Sequence, residues 1–372
     1  MDAQSYEAFR ASLRRLALER IEPHAAAYDR EQRFPEESLE AFKEMGLVSL
    51  AFSEENGGQG GDVVSQAIAL EELGRVCATS SLVLMVIWAG LGPVAKHGSQ
   101  KLRDEVIRPA MAGNTVASIC LTEPAGGSNL FGLKTRAEKT GNEWVLNGQK
   151  RFITHATRSD WYTVLARTGE KALGLFSVHK DDPGISFGNR EVKMGIRGSP
   201  TADVILDNCR IPEHRAVGDS NKGYHYISDS LTWTRVLIAA QALGIAQGAL
   251  DQAVKYTSER EQFGETLSRF QMIRGKIADM ATGIEAGRAL LYRAAGSIDN
   301  GESEARALAS MAKLFCSDTA MRVTTDAVQL HGGAGYLADF PVERMMRDAK
   351  ITQIYEGVNE IQRLIIAKHV YG

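Results

Sequence analysis

Residues 353–363 read QIYEGVNEIQR and place two glutamates, Glu356 and Glu360, four positions apart, with Gly357 directly after the first. A carboxylate there is either one more solvated charge on a C-terminal helix or a catalytic base. Three other stretches could bind a ligand. CLTEPAGGSN, residues 120–129, leaves a strand, turns at Pro124 and offers Thr122, Ser128 and two glycines. Such a turn can present N–H groups and hydroxyls to a phosphate or a polar ring edge; alone it reads as a plain loop. GQKRFITHA, residues 148–156, puts Phe152 and Thr154 on a strand, where the aromatic either covers a cofactor ring or fills a core. QLHGGAGY, residues 329–336, follows a long helix and by itself reads as a glycine-rich C-cap. GGQGGD, residues 57–62, has no preceding strand and no GK[ST], so it is a surface turn and not a phosphate loop.

The elements that must position these residues fall into three zones. The chain has 372 residues, too many for one compact core. Residues 1–115 have helical periodicity: Pro35 with Glu36 and Glu37 opens EESLEAFKEMG and Gly46 closes it, and SQAIALEELGRV (65–76) is a second helix. Residues 116–220 switch to short runs rich in β-branched and aromatic residues, TVASICL, EWVL, RFIT, WYTVLAR, ALGLFSVH and DVILD. Turn signals at Thr140-Gly141-Asn142 and Asn147-Gly148 separate them, and no helical pattern intervenes, which predicts an antiparallel sheet. Residues 221–372 return to long helices with small and apolar residues on most faces; in ARALASMAKLFCSDTAMRVTTDAVQL, Leu308, Met311 and Phe315 form one stripe.

Several function classes are excluded. A net charge of −3 with interspersed signs is no footprint for nucleic acid or anionic membrane. Cys77, Cys120, Cys209 and Cys316 form no CxxC pair, which argues against a disulfide framework or zinc site and fits a reducing, cytoplasmic setting. The histidines show no metal-binding spacing. The N-terminal segment is an amphipathic helix without a secretory signal, and Asp2 and Glu7 count against a transit peptide. The longest apolar run, residues 82–95, is short of the ~20 needed to span a bilayer and reads as a buried helix.

Taken together and in order, CLTEPAGGSN, WVLNGQKRFIT, SEREQFGETLSRFQ, QLHGGAGYLADFPVERMMRDAK and QIYEGVNEIQR resemble the acyl-CoA dehydrogenase family, from FPEESLEAFKEMGL to the last residue. The resemblance implies a mainly α fold with a central antiparallel, barrel-like β domain and a C-terminal four-helix bundle. It implies FAD in a groove between the β domain and the C-terminal helices, a homotetramer built as a dimer of dimers, and electron-transferring flavoprotein as partner in fatty acid metabolism. By the resemblance, Leu121, Thr122 and Ser128 line the flavin and its pyrophosphate, and Phe152 and Thr154 stand beside the ring. Arg260, Phe263 and Gln271 reach FAD across the dimer contact, and Gln329, Gly332 and Gly333 accept the adenosine diphosphate half. Val358 is on the flavin side, and Ser128, Arg235 and Gly357 face the substrate. Glu356 would remove the α-proton of an acyl thioester while flavin N5 takes the β-hydride, with Gly357 letting the substrate come close.

Departures from the family pattern qualify this. Asn129 stands for a usual aspartate and Val358 for a usual threonine. Another branch keeps its base at the position of Thr234, which is no base at neutral pH. Thr232 and Trp233 are unusual near the expected adenine, so acyl-carrier-protein thioesters are an alternative substrate. Oxygen-using relatives and a catalytically silent binding protein are the other readings; the intact YEG glutamate argues against both. Met85, Ile87 and Trp88 lie on the helix expected to border the acyl pocket.

Overall fold

The computed structural model describes residues 2–372. Helix α1 (Ala3–Leu16) runs through a π-turn into α2 (Glu22–Arg30), followed by α3 (Glu36–Glu44). Pro35 caps α3, and Gly46, at φ +71°, ends the segment. Then come α4 (Val63–Val76), α5 (Ala78–His97) and α6 (Gln100–Met111). In α5, 94% of the most apolar window is buried, so its apolar length serves the protein's own core.

Seven strands follow: β1 (Ala117–Cys120), β2 (Arg136–Thr140), β3 (Glu143–Thr154), β4 (Trp161–Arg167), β5 (Leu173–His179), β6 (Ile185–Phe187) and β7 (Thr201–Pro212). The predicted hairpin at Gly141 joins β2 to β3. Two expectations are corrected. The sheet is mixed, because β1 pairs in parallel with β4 and β2 touches β4 in parallel, while β2–β3, β3–β7, β4–β5 and β6–β7 are antiparallel. Turn residues report only sequence neighbours; β1 and β2 both run parallel to β4, so the long connection of residues 121–135 between β1 and β2 is what returns the chain to the same direction. Asn147-Gly148 is no turn. It lies within β3, which absorbs both EWVL and RFIT, and marks a register shift against β7.

The C-terminal part contains α7 (Gly223–Glu259), a short hairpin of β8 (Glu261–Gln262) and β9 (Glu265–Thr266), then α8 (Gln271–Asp299), α9 (Ala305–His331), α10 (Pro341–Thr352) and α11 (Asn359–Tyr371). One apolar core joins the first six helices to α7–α10, while the sheet keeps a separate core around Trp144, Phe176 and Tyr162. The small residues of α7 have a clear purpose. A Cβ on Gly244 would stand 2.2 Å from the carbonyl oxygen of Glu71, and one on Gly248 2.0 Å from that of Arg75, so α4 and α7 meet backbone to backbone. The Leu308–Met311–Phe315 stripe is not core: Leu308 and Met311 are half-buried and Phe315 is exposed. The buried face of α9 is mostly alanines, Cys316 and polar residues, among them Lys313, with Val323 and Leu330.

Candidate active site

A cavity of about 840 Å³ lies where the sheet, α5, α7 and the turn between α10 and α11 converge. The loop after β1 forms one wall. Glu123 anchors it from below: its carboxylate takes the Lys150 ammonium at 2.8 Å and the backbone N–H groups of Lys134 and Thr135 at 2.6 and 3.0 Å. Both side chains are almost wholly buried. Burial works against the Glu123 carboxylate, but these donors outweigh it and hold the group ionised. The N–H of Arg151 donates to the carbonyl of Thr122 at 2.8 Å and ties the loop to β3. Leu121, Thr122 and Ser128 line the cavity as a result.

Phe152 continues that wall. It sits at a second register shift of β3 with φ +57°, is 56% exposed, and has the Arg151 guanidinium 4.8 Å from its ring centre. A phenylalanine in left-handed backbone with a bared ring is costly unless something flat covers it. Thr154, whose carbonyl accepts the Ser118 hydroxyl at 2.6 Å, lines the cavity beside it.

Glu356 lines the same cavity. Glu356 and Gly357 have φ +54° and +94°, two consecutive left-handed residues in the turn between α10 and α11, and both line the cavity. A Cβ on Gly357 would meet Gln362 Nε2 at 2.6 Å, so the turn needs glycine there. The Thr234 hydroxyl, on α7, donates to Glu356 Oε2 at 2.6 Å. Burial pushes the Glu356 pKa up; the Thr234 hydrogen bond and the charges of Arg235 and Lys313 oppose it without cancelling it. Beside it, the Tyr355 hydroxyl donates to Gln241, which in turn donates to the carbonyl of Ala78. Arg235 and Val358 also line the cavity. Glu360 does not; it is exposed on the first turn of α11.

Of the α5 residues, Met85 lines the cavity together with Leu82, Val86 and Ala89. Ile87 and Trp88 face away, Trp88 donating to the carbonyl of Val48 at 3.0 Å. Trp233 points to Gln66 at 2.7 Å, and neither it nor Thr232 reaches the cavity. A second group of the expected residues lies elsewhere. Arg260 ends α7, Phe263 tips the β8–β9 hairpin at 95% exposure, and Gln271 opens α8. Gln329, Gly332 and Gly333 end α9, exposed. None of the six lines the cavity. Sequence reading passed over Glu123, Lys150 and the bond from Thr234 to Glu356. A buried Lys–Glu pair 27 positions apart leaves no local pattern, whereas Thr234 carried a signal, a hydroxyl in the position of a base in related chains.

Residues 3–114, 118–209 and 221–371 match the acyl-CoA dehydrogenase N-terminal, middle and C-terminal domains. A probable acyl-CoA dehydrogenase of Mycobacterium leprae is 47% identical over 98% of this chain and 95% of its own. Butyryl-CoA dehydrogenase from Megasphaera elsdenii superposes with a TM-score of 0.96 at 35% identity, covering 100% of both chains. A chain from the structure of the electron transferring flavoprotein of Acidaminococcus fermentans does so with a TM-score of 0.96 at 37% identity, covering 100% of this chain and 99% of its own. The bared Phe152 ring and the hydroxyls of the Thr122–Ser128 loop on one wall fit the flat ring and polar tail of FAD. With likeness over its full length in both sequence and fold, the chain belongs to the acyl-CoA dehydrogenase family, the FAD-dependent oxidoreductases of acyl-CoA thioesters.

Proposed function

We propose that Glu356 is the general base of an α,β-dehydrogenation, converting an acyl-CoA to its trans-2-enoyl thioester. One observation carries this: the Glu356 carboxyl, held by Thr234, faces the same cavity as the Phe152 wall. FAD bound along Phe152, Thr154, Leu121, Thr122 and Ser128 supplies the acceptor for the β-hydride. The chain does the rest. The apolar side chains of Leu82, Met85, Val86 and Ala89 take the acyl tail and keep water out. The Glu356 carboxylate accepts the α-proton as the C–H electrons become the new double bond and the hydride leaves the β-carbon from the other face. A pKa raised by burial suits proton transfer near neutrality. Glu356 N–H, in the left-handed turn, would donate to the thioester oxygen as it gains charge.

Arg260, Phe263, Gln271, Gln329, Gly332 and Gly333 serve the FAD of a second copy. Their exposure outside this chain's own cavity supports that role, and a homotetramer is the assembly that provides it. Electron-transferring flavoprotein is the acceptor, in line with the Acidaminococcus likeness. Four buried, unpaired cysteines suit a cytoplasmic enzyme of fatty acid metabolism. Anaerobic mixing of the holoprotein with a panel of acyl-CoAs and acyl-carrier-protein thioesters tests the reading. Bleaching of the flavin by acyl-CoA is expected. Bleaching only by the carrier-protein series would move the substrate, and bleaching by neither would remove the assignment.

A further inference from the structure

The turn that carries Glu356 is held from behind by a lysine that no surface reaches. Lys313, on α9, is fully buried, and its ammonium donates to the carbonyl of Gly357 at 2.9 Å and to Asn359 Oδ1 at 2.8 Å. Asn359 passes the restraint on, donating to Ser317 Oγ at 2.9 Å and Asp318 Oδ1 at 2.8 Å, both on α9. From the other side Gln362 Nε2 holds the Gly357 carbonyl at 2.8 Å and that of Glu356 at 3.3 Å. Two successive left-handed residues, one of them not glycine, are thus fixed by a cation and an amide that share one carbonyl oxygen. Burying a lysine for packing alone is costly, and an apolar side chain of its length would fill the space without that cost.

We propose that Lys313 is a positioning residue for the base: it locks the Glu356–Gly357 turn in its left-handed form and supplies the positive charge behind the carboxylate. This rests on Glu356 being the base. The charges that face Lys313 are Glu356 on the turn, Asp318 on its own helix, Arg235 on α7 and Glu360 on α11. Burial lowers its pKa to about 7, so near neutrality the ammonium is present in part and its influence on Glu356 is largest on the acid side. Removing a cation from beside a carboxylate disfavours the ionised form, which moves the acid limb of a base-dependent rate to higher pH.

The test is the pH profile of anaerobic flavin reduction by a good acyl-CoA, in Lys313→Met and Lys313→Arg holoenzymes of verified flavin content. Lys313→Met should lower the reduction rate ~10- to 100-fold, less than the ~10²–10⁴-fold that loss of a general base itself commands, bind the enoyl product within a few-fold of the parent, and shift the acid limb upward. Lys313→Arg keeps the charge and should keep the limb, with a lower rate from altered geometry. A loss proportional to lost flavin, with an unmoved limb in both variants, would make Lys313 a structural residue only. Should Lys313→Met not yield folded holoenzyme, Asn359→Ser withdraws the side-chain partner of the amine and should slow reduction several-fold at unchanged flavin content; a parental rate there overturns the proposal. If reduction persists at the parental rate in Glu356→Gln, the base itself is misassigned, a failure distinct from either outcome.

Discussion

Replacing Glu356 by glutamine changes basicity and little else. The amide is nearly isosteric, its oxygen can still accept the Thr234 hydroxyl now 2.6 Å from Oε2, and the left-handed turn set by Gly357 is untouched. Flavin content and affinity for the enoyl product should therefore stay near parental values. What goes is the group proposed to take the α-proton. General bases commonly contribute ~10²–10⁴-fold; Glu360 is exposed and lies outside the cavity, and Glu191, the other carboxylate on the lining, is turned to the Arg151 guanidinium at 3.8 Å. A loss of at least ~10⁴-fold is expected, about 5 kcal/mol in barrier height. The assay is rapid anaerobic mixing with acyl-CoA, following flavin absorbance, with Glu360→Gln as the paired control losing no more than a few-fold. Near-parental reduction in Glu356→Gln alongside a crippled Glu360→Gln would refute the reasoning. Stability gives an independent reading. Burial raises the Glu356 pKa in the folded state, so this group stabilises the fold only below its unfolded pKa and loses that contribution as pH rises through the folded value. Glu356→Gln should therefore melt higher than the parent at pH 7–8, and the difference should vanish in acid.

Thr234→Val removes the one hydroxyl that favours ionised Glu356, a bond of the charged kind worth ~1.5–3 kcal/mol; reduction should fall roughly tenfold near pH 6, and recover toward parental at pH 8–9, in a pH series of single turnovers. Lys150→Met strands the Glu123 carboxylate in the core, with an expected cost of about 3–5 kcal/mol in denaturant unfolding and loss of flavin from the purified protein. Gly248→Ala forces a Cβ to within 2.0 Å of the Arg75 carbonyl oxygen and should spread α4 from α7, lowering the melting temperature at unchanged Glu356 chemistry in the surviving holoenzyme.

The three-zone order was legible because helical and strand periods differ and each zone is long. The site was legible in outline, since the residues around Glu356, Phe152 and Ser128 fall in short contiguous stretches. What was not legible is pairing across distance. Asn147-Gly148 carries the chemistry of a hairpin turn, yet tertiary pairing with β7 draws it into the middle of β3. The parallel pairing of β1 with β4 spans 44 positions and has no local signature. The Leu308 stripe has helical spacing, but periodicity cannot say which side faces a neighbour, and α9 turns its alanines and Lys313 inward. Lys150 and Lys313 are the sharpest cases. Their residue type reads as surface, and only the carboxylate or carbonyl that each meets explains its burial.

These buried polar groups share a logic with the strained backbone. Three non-glycine residues with positive φ line the cavity: Phe152 at +57°, Ile196 at +47° and Glu356 at +54°. For a β-branched residue such as Ile196 this is a rare state, and each of the three costs of order 1–3 kcal/mol. Each has a buried charged group at its back. Lys150 and Glu123 brace the strand and loop beside Phe152. Asp348, fully buried with its pKa raised to about 6 by burial, accepts the Ile196 N–H at 2.5 Å. Lys313 takes the carbonyl that follows Glu356. A charge-assisted bond in a dry interior is worth about as much as the strain it opposes, so each pair is nearly neutral for stability. What the pairs add is geometry: the Phe152 wall and the Glu356 carboxyl are set before any ligand arrives, and on the proposed function a thioester would meet both without rearranging the chain.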